Sequence, residues 1–220
     1  PEAYAAWTGL TEFRVKSNLL VGAVPVFLEC NAEEIDISHN KFNGSLPVLT
    51  ARIVRASSNF FDDAALPSSI TEEVDLASNL LTALPPAWTT GLLQLVRVDI
   101  SRNLIKEWPP AGVRWRRGYD SSQLVPCSAF AGDRPSQPVQ EPHLTWPRLK
   151  VLHVDDCPQL RVSARDFLHS VAYLDNLQDL SASSSGLFGD IPMEANRIAP
   201  VTPESCDTAR DSFRSLTSLD

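Results

Sequence analysis

The sequence predicts an α/β solenoid of about seven repeats, bent into a horseshoe with a parallel sheet on its concave side and an irregular convex side. Three observations predict it. Five of the nine asparagines, Asn18, Asn40, Asn59, Asn79 and Asn103, recur in one local setting at separations of 22, 19, 20 and 24 residues. Aligned on them, apolar residues fall in fixed slots and the chain reads L-x-x-L-x-L-x-x-N-x-L, with repeats starting at Leu10, Ala32, Ala51, Thr71 and Leu95. The repeat tails are punctuated alike, with Pro25, Pro47, Pro86, Pro110 and Pro192 at repeat position 16 and Gly22, Gly44 and Gly189 at position 13.

Each element follows from this alignment. The alternation in V-D-I or V-D-L makes a short strand with one apolar face, and stacking successive repeats sets the strands side by side. One repeat cannot bury that face alone, so stability comes from its neighbours. The Asn after each strand turns inward, where its amide can satisfy backbone groups left unpaired by the turn. A sixth repeat, LKVLHVDDCPQL, places Leu149, Leu152 and Val154 in the apolar slots and Cys157 in the Asn slot. A seventh runs through Leu177, Leu180, Ala182 and Leu187 with Ser185 in that slot, and an eighth begins at Leu216 and Leu219.

The chain is read as a single solenoid fragment over 1–220 with two interruptions. Between the fifth and sixth repeat starts lie 54 residues where about 20 to 29 are expected. The segment 111–148 is therefore an inserted loop, rich in Pro and Gly and without helical or strand period, and limited proteolysis is expected to cut first within 114–142. Residues 193–213 form a second irregular insertion or linker. Between the two, SARDFLHSVAYL spaces Phe167, Val171 and Leu174 by four and three, with Ser163 as N-cap and Asp166 three residues on, which predicts one short convex-side helix.

The repeat string is that of leucine-rich repeats, in which Cys is an accepted substitute at the Asn slot. The tails NLLVGAVP, NKFNGSLP and GLFGDIP resemble the N-x-L-x-G-x-I-P tail of plant-type leucine-rich repeats, found in receptor-kinase ectodomains and polygalacturonase-inhibiting proteins. The segment LPSSITEEVDLASNLLTALP resembles the compact repeat of bacterial effectors, and LPPAW is similar to the surface leucine-rich-repeat proteins of kinetoplastid parasites. The resemblance covers about 1–110 and 149–192. It implies that strand positions 2, 3, 5, 7 and 8 line the concave face, and that this face with its adjacent loops engages a protein or peptide partner.

Position 5, the centre of each strand, runs Arg14, Asp36, Arg55, Asp75, Asp99, His153 and Ser181. Equivalent positions in a parallel stack lie about 4.8 Å apart, so the first four are expected to alternate as a ladder of cations and anions. The alternation ends where Asp75 and Asp99 set like charges side by side, flanked by Glu72, Glu73, Arg97 and Arg102. There a partner's cationic group, or an arginine of the insertion text Arg114, Trp115, Arg116, Arg117, is expected to meet the two carboxylates. The candidate partner-binding residues are thus Arg14, Asp36, Arg55, Glu73, Asp75, Arg97, Asp99 and His153.

Composition narrows the function further. The 220 residues carry a net charge of −8, which lacks the field that holds a phosphate backbone, so nucleic acid is not an expected partner. No stretch approaches about 20 apolar residues, so no membrane span is expected in this fragment, and the N-terminus lacks a secretory signal. Both ends read as cut from a longer chain. His39, His143, His153 and His169 belong to no metal or nucleophile motif. His153 and Asp155 share a face, but Cys157 turns to the core, so no metal or cofactor is expected. No phosphate-cradling loop, nucleophile elbow or kinase signature is present, and no catalytic residues are assigned.

Four cysteines permit three pairings in an oxidising compartment; with Cys157 buried, a bridge between Cys127 and Cys206, one in each insertion, is expected if the protein is secreted. Asn43 opens Asn-Gly-Ser, a formal N-glycosylation acceptor. The expected function is non-catalytic recognition by a leucine-rich-repeat receptor or surface protein, at the cell surface or outside the cell. The alternatives are an intracellular (cytoplasmic) scaffold or effector, and the recognition part of an enzyme whose catalytic domain lies outside this fragment.

Overall fold

The computed structural model describes residues 9–24, 32–64, 69–84, 88, 93–108, 146–171, 174 and 176–191, together with the backbone of three further short strands at 115–117, 124–126 and 218–219. In chain order the elements are β1 (Glu12–Arg14), β2 (Val21–Gly22), β3 (Ala32–Asp36), β4 (Lys41–Leu46), β5 (Ala51–Arg55), β6 (Phe60–Ala64), β7 (Glu73–Asp75), β8 (Arg97–Asp99), β9 (Trp115–Arg117), β10 (Leu124–Pro126), β11 (Val151–His153), α1 (Ala164–Val171), β12 (Asp179–Ser181) and β13 (Ser218–Leu219). Together they make a solenoid of stacked parallel strands. The main sheet runs β1-β3-β5-β7-β8-β11-β12-β13, parallel throughout. A second parallel sheet, β2-β4-β6, runs along the repeat tails. Of the expected α/β content the described residues supply one helix, so strands dominate among them.

Alternation builds the main sheet. Val54, Val74, Val98, Leu152 and Leu180 point into the core at no more than 4% exposure, while the residues on either side of each remain at least partly open to solvent. Three-residue strands bury little alone, and the shared row of apolar side chains supplies the stability. The turn after each strand repeats as closely as the strand. Ser17, His39, Ser58, Ser78, Arg102, Asp156 and Ser184, all at repeat position 8, hold φ between 51° and 57°. That left-handed conformation is costly for non-glycine residues. It persists because the N–H of each of the first six donates to the position 7 carbonyl of the next coil, as in Ser58 N to Ala77 O at 2.8 Å and Arg102 N to Asp155 O at 2.7 Å.

The inward asparagines join coil to coil. Asn79 donates from Nδ2 to the carbonyls of Leu76 and Ala77 in its own coil and of Ala56 in the preceding one, and its Oδ1 accepts from Phe61 N at 3.1 Å. Asn40, Asn59 and Asn103 repeat this arrangement. Asn18, in the first described coil, is exposed and among the described residues bonds only to the Val15 and Lys16 carbonyls. In the last two described coils Cys157 Sγ approaches Ile100 O at 3.7 Å, and Ser185 Oγ donates to the carbonyls of Val154 and Ser183.

The main sheet passes over the long interruption: β8 pairs directly with β11, with Arg97 opposite Val151 and Asp99 opposite His153. Within the 111–148 segment, β9 and β10 pair antiparallel, contrary to the expectation of a segment without strand structure. Three-residue strands are too short to leave a legible period. Arg114, the side chains of Trp115, Arg116 and Arg117, and the 114–142 cleavage expectation fall mainly outside the described residues, as do 193–213 and Cys30, Cys127 and Cys206. At the far end β13 sets Leu219 opposite Leu180, where the eighth repeat was expected.

Helix α1 starts as its cap predicts. Ser163 Oγ accepts from Asp166 N at 3.0 Å and donates to Asp166 Oδ2 at 2.7 Å. Phe167, Val171 and Leu174 are buried, and the Phe167 ring packs on Trp108 with centroids 4.9 Å apart. Trp108 Nε1 then donates to Ser170 Oγ, and Trp146 Nε1 to Trp88 O, so these two of the buried indoles find acceptors.

Candidate functional site

The exposed face of the main sheet gathers the residues singled out by position. The observed register sets Arg14, Asp36, Arg55, Asp75, Asp99, His153 and Ser181 opposite one another on successive strands. Geometry corrects the expected use of that row. Asp36 is only 6% exposed and accepts from Ser38 N at 3.0 Å and from Ser38 Oγ, so it pairs with neither arginine beside it. Arg14 instead binds Glu34 through Nε at 2.7 Å and Glu12 at 2.6 Å, and Arg55 also pairs with Glu34. The ion ladder therefore runs diagonally through Glu34 at position 3. The reason is local: an aspartate two residues before a strand-end amide reaches that N–H within its own chain, which competes with pairing across strands.

A second ladder was not anticipated from the sequence. At position 2, Arg52 reaches Glu33 through Nε at 2.7 Å on one side and Glu72 through Nη1 at 2.9 Å on the other. This doubly paired guanidinium holds the Glu33 carboxyl below its usual range and its own pKa well above that of a free arginine. Reading position 2 as closely as position 5 would have revealed Glu33, Arg52 and Glu72 as an alternating triplet.

Asp75 and Asp99 follow Asp36 in part. Their Oδ1 atoms accept from Ala77 N and Ser101 N, each at 3.1 Å. Asp75 Oδ2 takes the Ser57 hydroxyl at 2.8 Å, and Asp99 Oδ2 lies 3.6 Å from His153 Nδ1. Both stay half-buried on the sheet surface rather than in the core. The adjacency of two like charges is thus eased by local donors, and the charges without partners lie two residues earlier. Glu73 and Arg97 are Cα partners on β7 and β8, yet neither side chain makes an ion pair or hydrogen bond among the described residues.

Ile53, Arg55, Glu73, Asp75, Arg97 and Asp99 surround an open depression of about 380 Å³ on this face. That volume lies at the lower end of the range of small-ligand sites. Beside it, His153 Nε2 lies 3.2 Å from Asp179 Oδ2, so the imidazole stands between carboxylates of the coils before and after it. Ser181, its neighbour across the sheet, donates its hydroxyl to Asp155, whose Oδ1 also accepts Ser183 N at 2.7 Å. Where repeat 7 has Ser at position 5, the adjoining Asp155 supplies the missing acceptor.

Elsewhere, Asn43 is exposed in β4 and Ser45 Oγ donates to Asp63 Oδ2 at 3.1 Å. Gly44 between them has φ 74°, at a register shift in the tail sheet. Cys157 is a fully buried free thiol whose pKa burial pushes up. Among the described residues no group of three or more His, Cys, Asp or Glu side chains is arranged to hold a metal ion, and no helix is long and apolar enough to cross a membrane. No protein-family model matches this chain and no curated protein matches it significantly, so its assignment rests on sequence pattern and geometry.

Proposed function

We propose that this chain is the recognition part of a leucine-rich-repeat protein, a horseshoe of about seven repeats that binds a protein or peptide partner through the exposed, concave face of its main sheet and catalyses no reaction. The observation that carries the reading is the continuous in-register face of charged side chains that opens into a depression between β5, β7 and β8. The inward Asn, Cys and Ser side chains and the left-handed residue one position earlier support the repeat assignment, because they recur together at the spacing of the apolar slots.

The polar side chains of the face favour binding over chemistry. Asp75 and Asp99 each fix a backbone amide, His153 is held between Asp99 and Asp179, and the Ser181 hydroxyl bonds Asp155 rather than the imidazole. A nucleophile needs its base within hydrogen-bond reach. The proposed location is the cell surface or outside the cell, with the cytoplasm as the alternative. A secretion assay that follows glycan occupancy at Asn43 decides between them.

Screening the chain against extracellular proteins and peptides should return a binder that is lost on combining Glu73→Ala, Arg97→Ala and Asp99→Ala. The same binder should survive Asp62→Ala, Thr82→Ala and Lys106→Ala on the repeat tails. The reverse pattern would show that the tails, not the sheet face, make the contact.

A further inference from the structure

Nearly every arginine on the first coils of the exposed face is committed. Arg14 pairs with Glu12 and Glu34, Arg52 with Glu33 and Glu72, and Arg55 with Glu34. Against that background the pair at β7 and β8 is an exception. Glu73 and Arg97 are opposite in sign and sit at matched positions on adjacent strands, about 4.8 Å apart along the sheet. Neither side chain has an ion-pair or hydrogen-bond partner among the described residues, and the depression lies between and beside them. Because Arg55 turns to Glu34, the depression holds three carboxylates, Glu73, Asp75 and Asp99, and one uncommitted guanidinium, that of Arg97.

We propose that this depression binds an extended peptide segment carrying a basic and an acidic residue two positions apart, the basic side chain among Glu73, Asp75 and Asp99 and the acidic one on Arg97. The proposal rests on the reading of this face as the recognition surface. Alternate side chains of an extended peptide share a face and lie roughly 6.8 Å apart, a distance that two long flexible side chains reconcile with neighbouring strands. The backbone N–H groups of Ala77 and Ser101 fix one oxygen of each aspartate, which keeps the carboxylates positioned before the ligand arrives. A guanidinium can bond two carboxylates at once where an ammonium acts as a point charge, so arginine is favoured over lysine. Selection also works by repulsion. A wholly basic segment meets Arg97, and a wholly acidic one meets three carboxylates.

The test is a 15N–1H NMR titration of the full chain with the end-blocked peptide Gly-Ser-Arg-Ser-Asp-Ser-Gly. Three controls replace Arg by Gln, Asp by Asn, or both. The doubly charged peptide should shift amides of β7 and β8 and bind at least about fivefold more tightly than either singly neutralised one, a difference that 0.5 M salt erases. Glu73→Gln with Arg97→Gln, both on the solvent face, should leave the spectrum folded and remove the preference. Equal binding of all four peptides at β7 and β8 overturns the charge-pair proposal and leaves the recognition face standing. Shifts confined to the repeat tails, or no shifts with any peptide, overturn both.

Discussion

Asn79 makes four hydrogen bonds to backbone groups, and its removal leaves the Phe61 N–H without its acceptor inside the core and the Ala56 carbonyl with Asn59 as its remaining amide donor. Asn79→Ala should therefore destabilise the chain by about 1 to 3 kcal/mol. Asn18→Ala, at an exposed position with two bonds to its own coil, should stay within about 0.5 kcal/mol of wild type. Urea denaturation of the two variants measures the contrast, and equal losses would contradict an inter-coil role for the amide. Cys157 fills the same slot with a thiol that burial keeps protonated. Iodoacetamide at pH 8 should leave Cys157 unmodified in the native chain and alkylate it in urea, as read by peptide mapping. Rapid native labelling would place the thiol at the surface.

Individual strands and the helix carry devices that act locally. Ser163 caps α1, and Ser163→Ala should lower stability by about 1 kcal/mol in thermal unfolding because Asp166 N–H loses its acceptor. The Arg52 ladder gives the sheet a pH dependence of known sign. Its hydrogen bonds hold Glu33 below the ordinary carboxyl value of 4.5 in the folded chain. The contribution of Glu33 is therefore fully present above that value, and it disappears as pH falls through the lowered folded value. The Tm difference between wild type and Glu33→Gln should be present at pH 7, shrink below pH 4.5, and shrink also in high salt because the pair is exposed. A difference that persists at pH 2 would assign the effect to packing.

At the scale of the molecule, a stack whose coils touch only their neighbours responds to its ends. Among the described residues β1 has a partner on one edge only, whereas β5 and β7 are paired on both. Hydrogen exchange should be fastest in β1 and slowest for Val54 and Val74 amides, grading along the stack rather than collapsing in one transition. Uniform exchange along the whole sheet would mean that the chain unfolds as one unit. The direct pairing of β8 with β11 makes the main sheet continuous across the 111–148 segment, so the face that carries the candidate site does not depend on that segment for its register.

The sequence by itself determined the repeat register. Spacing alone put Arg14, Asp36, Arg55, Asp75, Asp99, His153 and Ser181 on one row, because a parallel stack fixed by apolar slots and an inward Asn leaves no freedom to slip without exposing the core. The capped helix after β11 was legible because its signals are local. What only the tertiary structure decided is which charges meet. Asp36 turned to Ser38, Glu34 collected Arg14 and Arg55, and Glu73 and Arg97 stayed apart beside a depression. Register fixes Cα positions to within an ångström or so, whereas a charged side chain chooses among a backbone amide, a diagonal neighbour and solvent, and those options differ by about 1 kcal/mol.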